Sequence, residues 1–502
     1  MIKASGLIKI YNGNIVLNGI DFVLPRNKKI ALVGANGCGK TTLFKILIGE
    51  ESPTEGRVTL ENEKIGYIPQ EFRLDPNQMV GTFLLDLLEE EWEFYKVEAL
   101  LQKLEFNNYD EYQRIGTLSE GQKMKLVMIE QLLKDPTTIL IDEPTNHLDI
   151  EGIMWFEKYI KNLDISVVMI SHDRQFLNNT VDSVWEIEKG KIISFVGDYD
   201  NYKEQKLKLI GKWNEEYTRF LRKKTQLENL IVNVAKIKAG TKRGKAVRAA
   251  KKRFEREITK DKKEEYIEEK MKTVEFDTQI HAGKLVVSIQ KGQKKFENVT
   301  VFNDLNLEIR GKDRIWIYGQ NGTGKSTLVK IINTAFKQTN NQYTNIGGEK
   351  DPLELTKGTV TVGPNLKVGY FAQKSSFLNY KSLLKDAVFE NSTVAEIGQV
   401  YSLLGKFLFN KEDVEYKRVG DLSPGQRARF VFAIFSVNDY DVLILDEPTN
   451  HLDISTKEVI EESLNEYKGT LILVSHDRYF VESVNITKTF NLREKNIVFV
   501  GN

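Results

Sequence analysis

Two stretches of this chain carry glycines, a lysine and a hydroxyl in an order suited to gripping a phosphate chain. The first is Gly34-Ala-Asn36-Gly37-Cys-Gly39-Lys40-Thr41-Thr42, and the second is Gly319-Gln-Asn321-Gly322-Thr-Gly324-Lys325-Ser326-Thr327. Both fit the pattern G-x-x-x-x-G-K-[ST]. The glycines let the backbone wrap around phosphates, and its N–H groups supply donors. The start of the following helix adds partial positive charge. In this pattern Lys40 and Lys325 reach the β and γ phosphates, and Thr41 and Ser326 hold Mg²⁺. A single match can be a glycine turn before a helix. Two matches, each following an apolar β-branched run, point to phosphate binding.

Further chemistry recurs in both halves. "ILIDE" ends at Glu143 and "LILDE" at Glu447, so each run closes on paired carboxylates. Asp142 and Asp446 are expected to contact Mg²⁺ through water, with Glu143 and Glu447 placed to polarise an attacking water. The alternative is a solvated acidic turn. Of five histidines, only His281 falls outside the recurring segments. His172 and His476 follow apolar runs and are assigned to a γ-phosphate contact, while His147 and His451 are read as structural. "LSEGQ" and "LSPGQ" begin helical patterns. Ser119 with Gln122, and Ser423 with Gln426, form capping boxes on this reading. With Gly121 and Gly425 beside them they are also anion sites, although spacing does not say which phosphate they meet.

These residues need elements to hold them. Leu118–Asp149 aligns without a gap on Leu422–Asp453, 304 positions later, and the phosphate loops lie 285 positions apart. The difference marks an insertion at 336–358, polar and turn-rich, expected to be a surface loop. The runs "KKIALVG", "TTILID" and "SVVMIS" are apolar throughout, as strands buried on both faces of a mainly parallel sheet are. The chemistry sits just after each strand, where open α/β sheets bind ligands. At 502 residues, 41% hydrophobic and 28% charged, two or three domains are expected. Net charge is +1, so any nucleic-acid argument must be local. One cysteine, Cys38, excludes a disulfide framework or an iron–sulfur cluster within the chain. No signal peptide and no apolar run of membrane-spanning length is evident, so a cytoplasmic location is expected.

In combination, the phosphate loop, a glutamine after a strand (Gln70, Gln373), LSxGQ, ILxDEP and the strand-end histidine resemble an ATP-binding cassette. The resemblance covers about 1–200 and 283–502. It implies an α/β fold of two tandem P-loop cassettes, with ATP and Mg²⁺ as cofactors, that close head to tail within a monomer. Ser119, Gly121 and Gln122 would then complete the site on Lys325, and Ser423, Gly425 and Gln426 the site on Lys40. Gln70 and Gln373 match the family's glutamine loop and would approach the metal. Tyr11 and Phe296, each 23 residues before its phosphate loop, stand where the family stacks an aromatic ring on adenine. Glu120 and Pro424 replace a glycine of the common signature, and both sites are still expected to work.

Residues 201–282 break the cassette pattern. Ile210, Trp213, Tyr217, Phe220, Leu227, Ile231 and Val234 recur at helical spacing, followed by a turn and a second run with Val247, Ala250, Phe254 and Ile258. Two long antiparallel helices are expected. From Lys236 to Arg256 there are ten Lys/Arg against one acid, Glu255. Lys242, Arg243, Lys245, Arg248, Lys251 and Lys252 are assigned to phosphate-backbone contacts. Twin cassettes with "EPTNHLD" in both and a long basic helical linker resemble the ABC-F family. That resemblance implies action on the ribosome at the tRNA exit site, with the linker near ribosomal RNA and P-site tRNA. Gln70 to Leu118 spans 48 positions and Gln373 to Leu422 spans 49. The extra arm of many housekeeping members is therefore missing, and the chain ends at the second cassette. Both features lean towards antibiotic-resistance ribosome protection. The alternative is a fused ATPase subunit of a membrane importer, which has no need of a basic hairpin.

Overall fold

The computed structural model describes residues 1–106, 109–236, 241–259, 271, 278, 280–297, 299–339, 342–346, 352–372, 379–450 and 452–501. These form two compact units, Met1–Ser194 with Lys270–Asn502, and Phe195–Glu269.

In the first unit each repeat copy builds one main sheet. The order in the first copy is Ile65–Ile68, Thr138–Asp142, Ser166–Ile170, Lys29–Val33, Ser183–Glu188 and Lys191–Val196. The first five of these strands pair in parallel. All five residues of Lys29–Val33, Thr138–Asp142 and Ser166–Ile170 are buried, as their unbroken apolar character requires. The second copy repeats this order with Lys367–Phe371, Val442–Asp446, Thr470–Val474, Arg314–Tyr318, Lys488–Arg493 and Asn496–Gly501. A smaller antiparallel sheet of three strands accompanies each, led by Ile2–Tyr11 in one copy and Leu285–Phe296 in the other.

The insertion departs from the expected surface loop. Gln342–Ile346 forms a seventh strand, parallel to Lys367–Phe371, at the edge of the second main sheet. Its polar sequence hid it, since an edge strand needs backbone partners on one side and no continuous apolar run.

The two copies meet through matched ion pairs. Arg174 of the first copy and Glu461 of the second are both buried and joined by two hydrogen bonds. Their counterparts 304 positions away, Arg478 and Glu157, make the reciprocal pair. Arg174 also lies over the ring of Tyr479, 3.9 Å from its centroid. A buried pair of this kind sets register between surfaces more than it adds stability.

The second unit is helical. Tyr199–Lys236 is one helix of 38 residues, about 57 Å long at 1.5 Å per residue, followed by Thr241–Phe254 and a π-helical turn at Glu255–Thr259. The expected stripe is its least exposed face. Leu227 is buried, and Ile210, Trp213, Tyr217, Phe220, Ile231 and Val234 are half-buried; on the returning helix Val247 and Phe254 are half-buried and Ala250 and Ile258 buried. Lys223 and Arg253 both pair with Glu257, tying the long helix to the returning one. Arg256, together with Lys223 and Arg253, holds the Glu257 carboxyl down at about 2. No helix among the described residues is long and apolar enough to cross a membrane.

Two outcomes test this packing. Leu227→Ala should destabilise the helical unit by about 2–5 kcal/mol, read as faster hydrogen exchange confined to 210–258. Arg174→Ala, which strands a buried carboxylate, should cost about 3–5 kcal/mol in chemical unfolding. Replacing the pair together by Met and Leu should recover most of that loss; no recovery would mean that Arg174 acts independently of Glu461.

Candidate functional site: two composite nucleotide sites

Each phosphate loop follows a buried strand and opens a helix, Lys40–Leu47 or Lys325–Lys337. The residue before each helix is a glycine in the left-handed region, Gly39 at φ 105° and Gly324 at φ 100°. A Cβ on Gly39 would come within 2.8 Å of Val16 and Leu17, and one on Gly324 within 2.3 Å of Val301. Glycine is therefore required there by both backbone and space. The buried Lys40 ammonium donates to the carbonyls of Gly34 (2.7 Å) and Ala35 (3.2 Å). Lys325 does the same with Gly319 (2.8 Å) and Gln320 (2.9 Å). Each lysine thus arches back over its own loop.

Beside each lysine the hydroxyl and carboxylate expected to share a metal are in contact. Thr41 Oγ1 lies 3.1 Å from Asp142 Oδ2, and Ser326 Oγ lies 3.4 Å from Asp446 Oδ1. A hydroxyl, a carboxylate and substrate phosphates are the oxygen set Mg²⁺ takes, so these residues fit the ion. No cluster of three or more His, Cys, Asp or Glu suited to a metal occurs among the described residues. A magnesium site built on phosphates would not need one.

Glu143 and Glu447 sit in the left-handed region at φ 49° and 50°. Their backbone N–H groups donate to Ile170 O and Val474 O, each at 2.8 Å, which pins the turn to the neighbouring strand. Each carboxylate accepts from the backbone of the strand-end histidine, His172 N or His476 N, both at 3.3 Å. The ring Nε2 atoms stand 3.3 and 3.4 Å from the other carboxylate oxygen, outside hydrogen-bond geometry. That oxygen and both histidine Nδ1 atoms are buried without a hydrogen-bond partner, as a site shaped for a ligand leaves them. Burial pushes Glu143 up to about 7 and Glu447 up to about 8. Burial takes His172 well below its ordinary value, and the nearby Lys40 charge adds to the effect. His476 falls to about 4 for the same reasons, with Lys325 as its neighbour. Asp446, also buried, rises to about 6.

The signature serines cap as expected. Ser119 Oγ accepts from Gln122 N and Gln122 Oε1 accepts from Ser119 N, and the same box joins Ser423 and Gln426. Gly121 lies against Leu148, next to Asp149. One oxygen of Asp149 caps its own helix through Gly152 N, and the other accepts from Asn321 N in the opposite phosphate loop at 3.0 Å. Asp453 mirrors it, capping through Thr456 N and accepting from Asn36 N at 3.3 Å. Gln320 Nε2 adds a bond to Glu151 at 2.8 Å. Each phosphate loop is therefore read by a carboxylate of the other copy. These aspartates were not among the expected site residues. Their signal was a helix-capping position inside a duplicated segment.

Tyr11 and Phe296 end the leading strands of the small sheets, exposed, with Lys9 and Lys294 5.0 and 4.7 Å from their ring centroids. The Tyr11 hydroxyl is held by Glu51. Gln70 lines a cleft of about 350 Å³ with Phe72, Ile115, Glu120 and Lys123. Gln373 and His451 lie outside the described residues, and of His147 only the turn Pro144–His147 is described. The hairpin's Lys245, Arg248, Lys251 and Lys252 are exposed along helix Thr241–Phe254, whereas the side chains of Lys242 and Arg243 lie outside the described residues.

The ABC transporter family profile matches residues 17–146 and 302–450. ABC transporter F family member 5 of Arabidopsis thaliana is 32% identical over an alignment covering 96% of this chain and 74% of the relative. Ribosome protection protein VmlR of Bacillus subtilis (strain 168) is 30% identical, covering 91% of this chain and 81% of the relative. The archaeal ribosome recycling factor aABCE1, solved in complex with the ribosomal stalk protein aP1, shares the fold at a TM-score of 0.61 and 20% identity, covering 97% of this chain and 87% of that one. Two matched cassettes with reciprocal phosphate-loop contacts, and relatives aligned along nearly the whole length, establish that this chain belongs to the ABC-F family of ATP-hydrolysing twin-cassette proteins.

Proposed function

We propose that the chain is a cytoplasmic translation factor that binds the ribosome with ATP closed between its cassettes and leaves on hydrolysis. In each site the phosphate-loop N–H groups and Lys40 or Lys325 bind the phosphates. Thr41 with Asp142, Ser326 with Asp446, and Gln70 and Gln373 at their loops, would hold Mg²⁺, which supplies charge neutralisation of the phosphates. Glu143 and Glu447 orient and polarise the attacking water, and a neutral His172 or His476 donates to the γ-phosphate. Tyr11 and Phe296 stack on adenine. Ser119, Gly121 and Gln122 close over the ATP on Lys325, and Ser423, Gly425 and Gln426 over the ATP on Lys40.

The observation that carries the ribosomal reading is the row of exposed cations Lys245, Arg248, Lys251 and Lys252 on one helix of the hairpin. They lie within about 11 Å of helix, a local concentration of positive charge suited to a phosphate backbone. With Lys242 and Arg243 they would contact ribosomal RNA and P-site tRNA from the tRNA exit site. The name ribosome protection protein, borne by a relative aligned over 91% of this chain, supports the protection branch of the family.

Two experiments test this. Glu143→Gln with Glu447→Gln should keep ATP binding, slow turnover by about 10²–10⁴-fold, and co-sediment with ribosomes in ATP. Fractionation with membranes and never with ribosomes would instead favour the importer ATPase. Changing the six basic hairpin residues to Gln should leave ribosome-free ATPase intact, weaken ribosome binding and flatten its salt dependence. Unchanged affinity and salt slope would make the hairpin a merely solvated turn.

A further inference from the structure

The interface between the cassettes is close to twofold. Arg174–Glu461 has its mate in Arg478–Glu157, and Asp149–Asn321 has its mate in Asp453–Asn36. One buried cation breaks the pattern. Lys457, on helix Ile454–Glu466, is 5% exposed. Its ammonium lies 2.7 Å from Asp477 Oδ2 in its own cassette and donates to the His172 carbonyl of the other at 2.9 Å. The position 304 earlier is Ile153, also buried, whose side chain has no donor to offer. Asp173, the mate of Asp477, is buried and caps its helix through Phe176 N at 2.9 Å, as Asp477 does through Phe480 N at 3.0 Å. The capping is symmetric; the lysine is not.

We infer that Lys457 is a positioning residue that makes the two ATP sites unequal: it fastens the backbone of His172 across the interface, while the His476 segment, facing Ile153, receives no such tie. His172 is held on both sides, its N–H bonded to Glu143 and its carbonyl to Lys457. The ring and the carboxylate that flank the γ-phosphate in the Lys40 site are thereby set by a residue of the opposite cassette. A charged donor to a buried carbonyl is among the stronger single hydrogen bonds. A displacement of such a group by up to about 1 Å can cost as much as about a hundredfold in rate, and a partial one less. In the Lys325 site, His476 is placed by Glu447 and its own strand end. The inference rests on the assignment of Glu143 and Glu447 to separate hydrolytic sites.

The test is steady-state ATPase of the full chain without ribosomes. Lys457→Met is placed in the Glu447→Gln background, where Glu143 remains, and in the Glu143→Gln background, where Glu447 remains. We expect kcat to fall about tenfold in the first background and less than about twofold in the second, with KM for ATP held within about twofold in both. Lys457→Arg should restore most of the loss. Equal falls in both backgrounds, or no fall in either, would overturn the inference. Should Lys457→Met not fold, the double change with Asp477→Asn leaves no unpaired buried carboxylate and is read in the same two backgrounds, with the same expected difference. Wild-type turnover in both single Gln backgrounds with the lysine in place would sink the base assignment, and the inference with it, without involving Lys457.

Discussion

A phosphate loop presents more backbone donors than its own fold can satisfy, and in this chain the opposite copy supplies the acceptor. Asp149 and Asp453 each spend one oxygen on capping a helix and the other on the amide of Asn321 or Asn36. The cap fixes the carboxylate relative to its own cassette, and the second bond fixes the cassette relative to its partner. Strand order, signature helix and arginine pairs all work to bring those two oxygens within reach of the two loops. The copies therefore pair with the loop of one against the helix start of the other.

Burial sets the electrostatic state of what lies between them. The same loss of water that raises Glu143 and Glu447 lowers His172 and His476. A raised carboxylate and a depressed imidazole, side by side, are both biased towards neutrality. Phosphates and a divalent ion change that balance by bringing charge of both signs into the same space. The site is thus poised to respond to what enters it, more than to hold charge of its own.

Much of this was legible in the sequence because it is local. The phosphate loops, the capping boxes of Ser119 and Ser423, the carboxylates at strand ends and the helical stripe through Leu227 each follow from residues within a turn or two of one another. Arg174, Glu461 and Lys457 were not legible, since their partners lie 287, 287 and 285 positions away and nothing in a single sequence pairs them. Gln342–Ile346 was missed for a different reason. An edge strand of polar residues has no periodic apolar signal, and its evidence is the ladder to Lys367–Phe371.

The lysine at 457 also bears on which halves can pair. Ile153, Lys457, His172 and His476 line one shared cavity at the centre of the interface. If the second halves of two chains met each other, a second ammonium would stand where Ile153 now stands, each paired with Asp477 of its own half. If two first halves met, Asp173 would be buried twice with no lysine for either copy. Joining unlike halves therefore leaves a single lysine, and a single tie to a histidine carbonyl, at this cavity. A pair of like halves would carry two such ties or none, so the inequality of the two sites is a consequence of joining unlike halves.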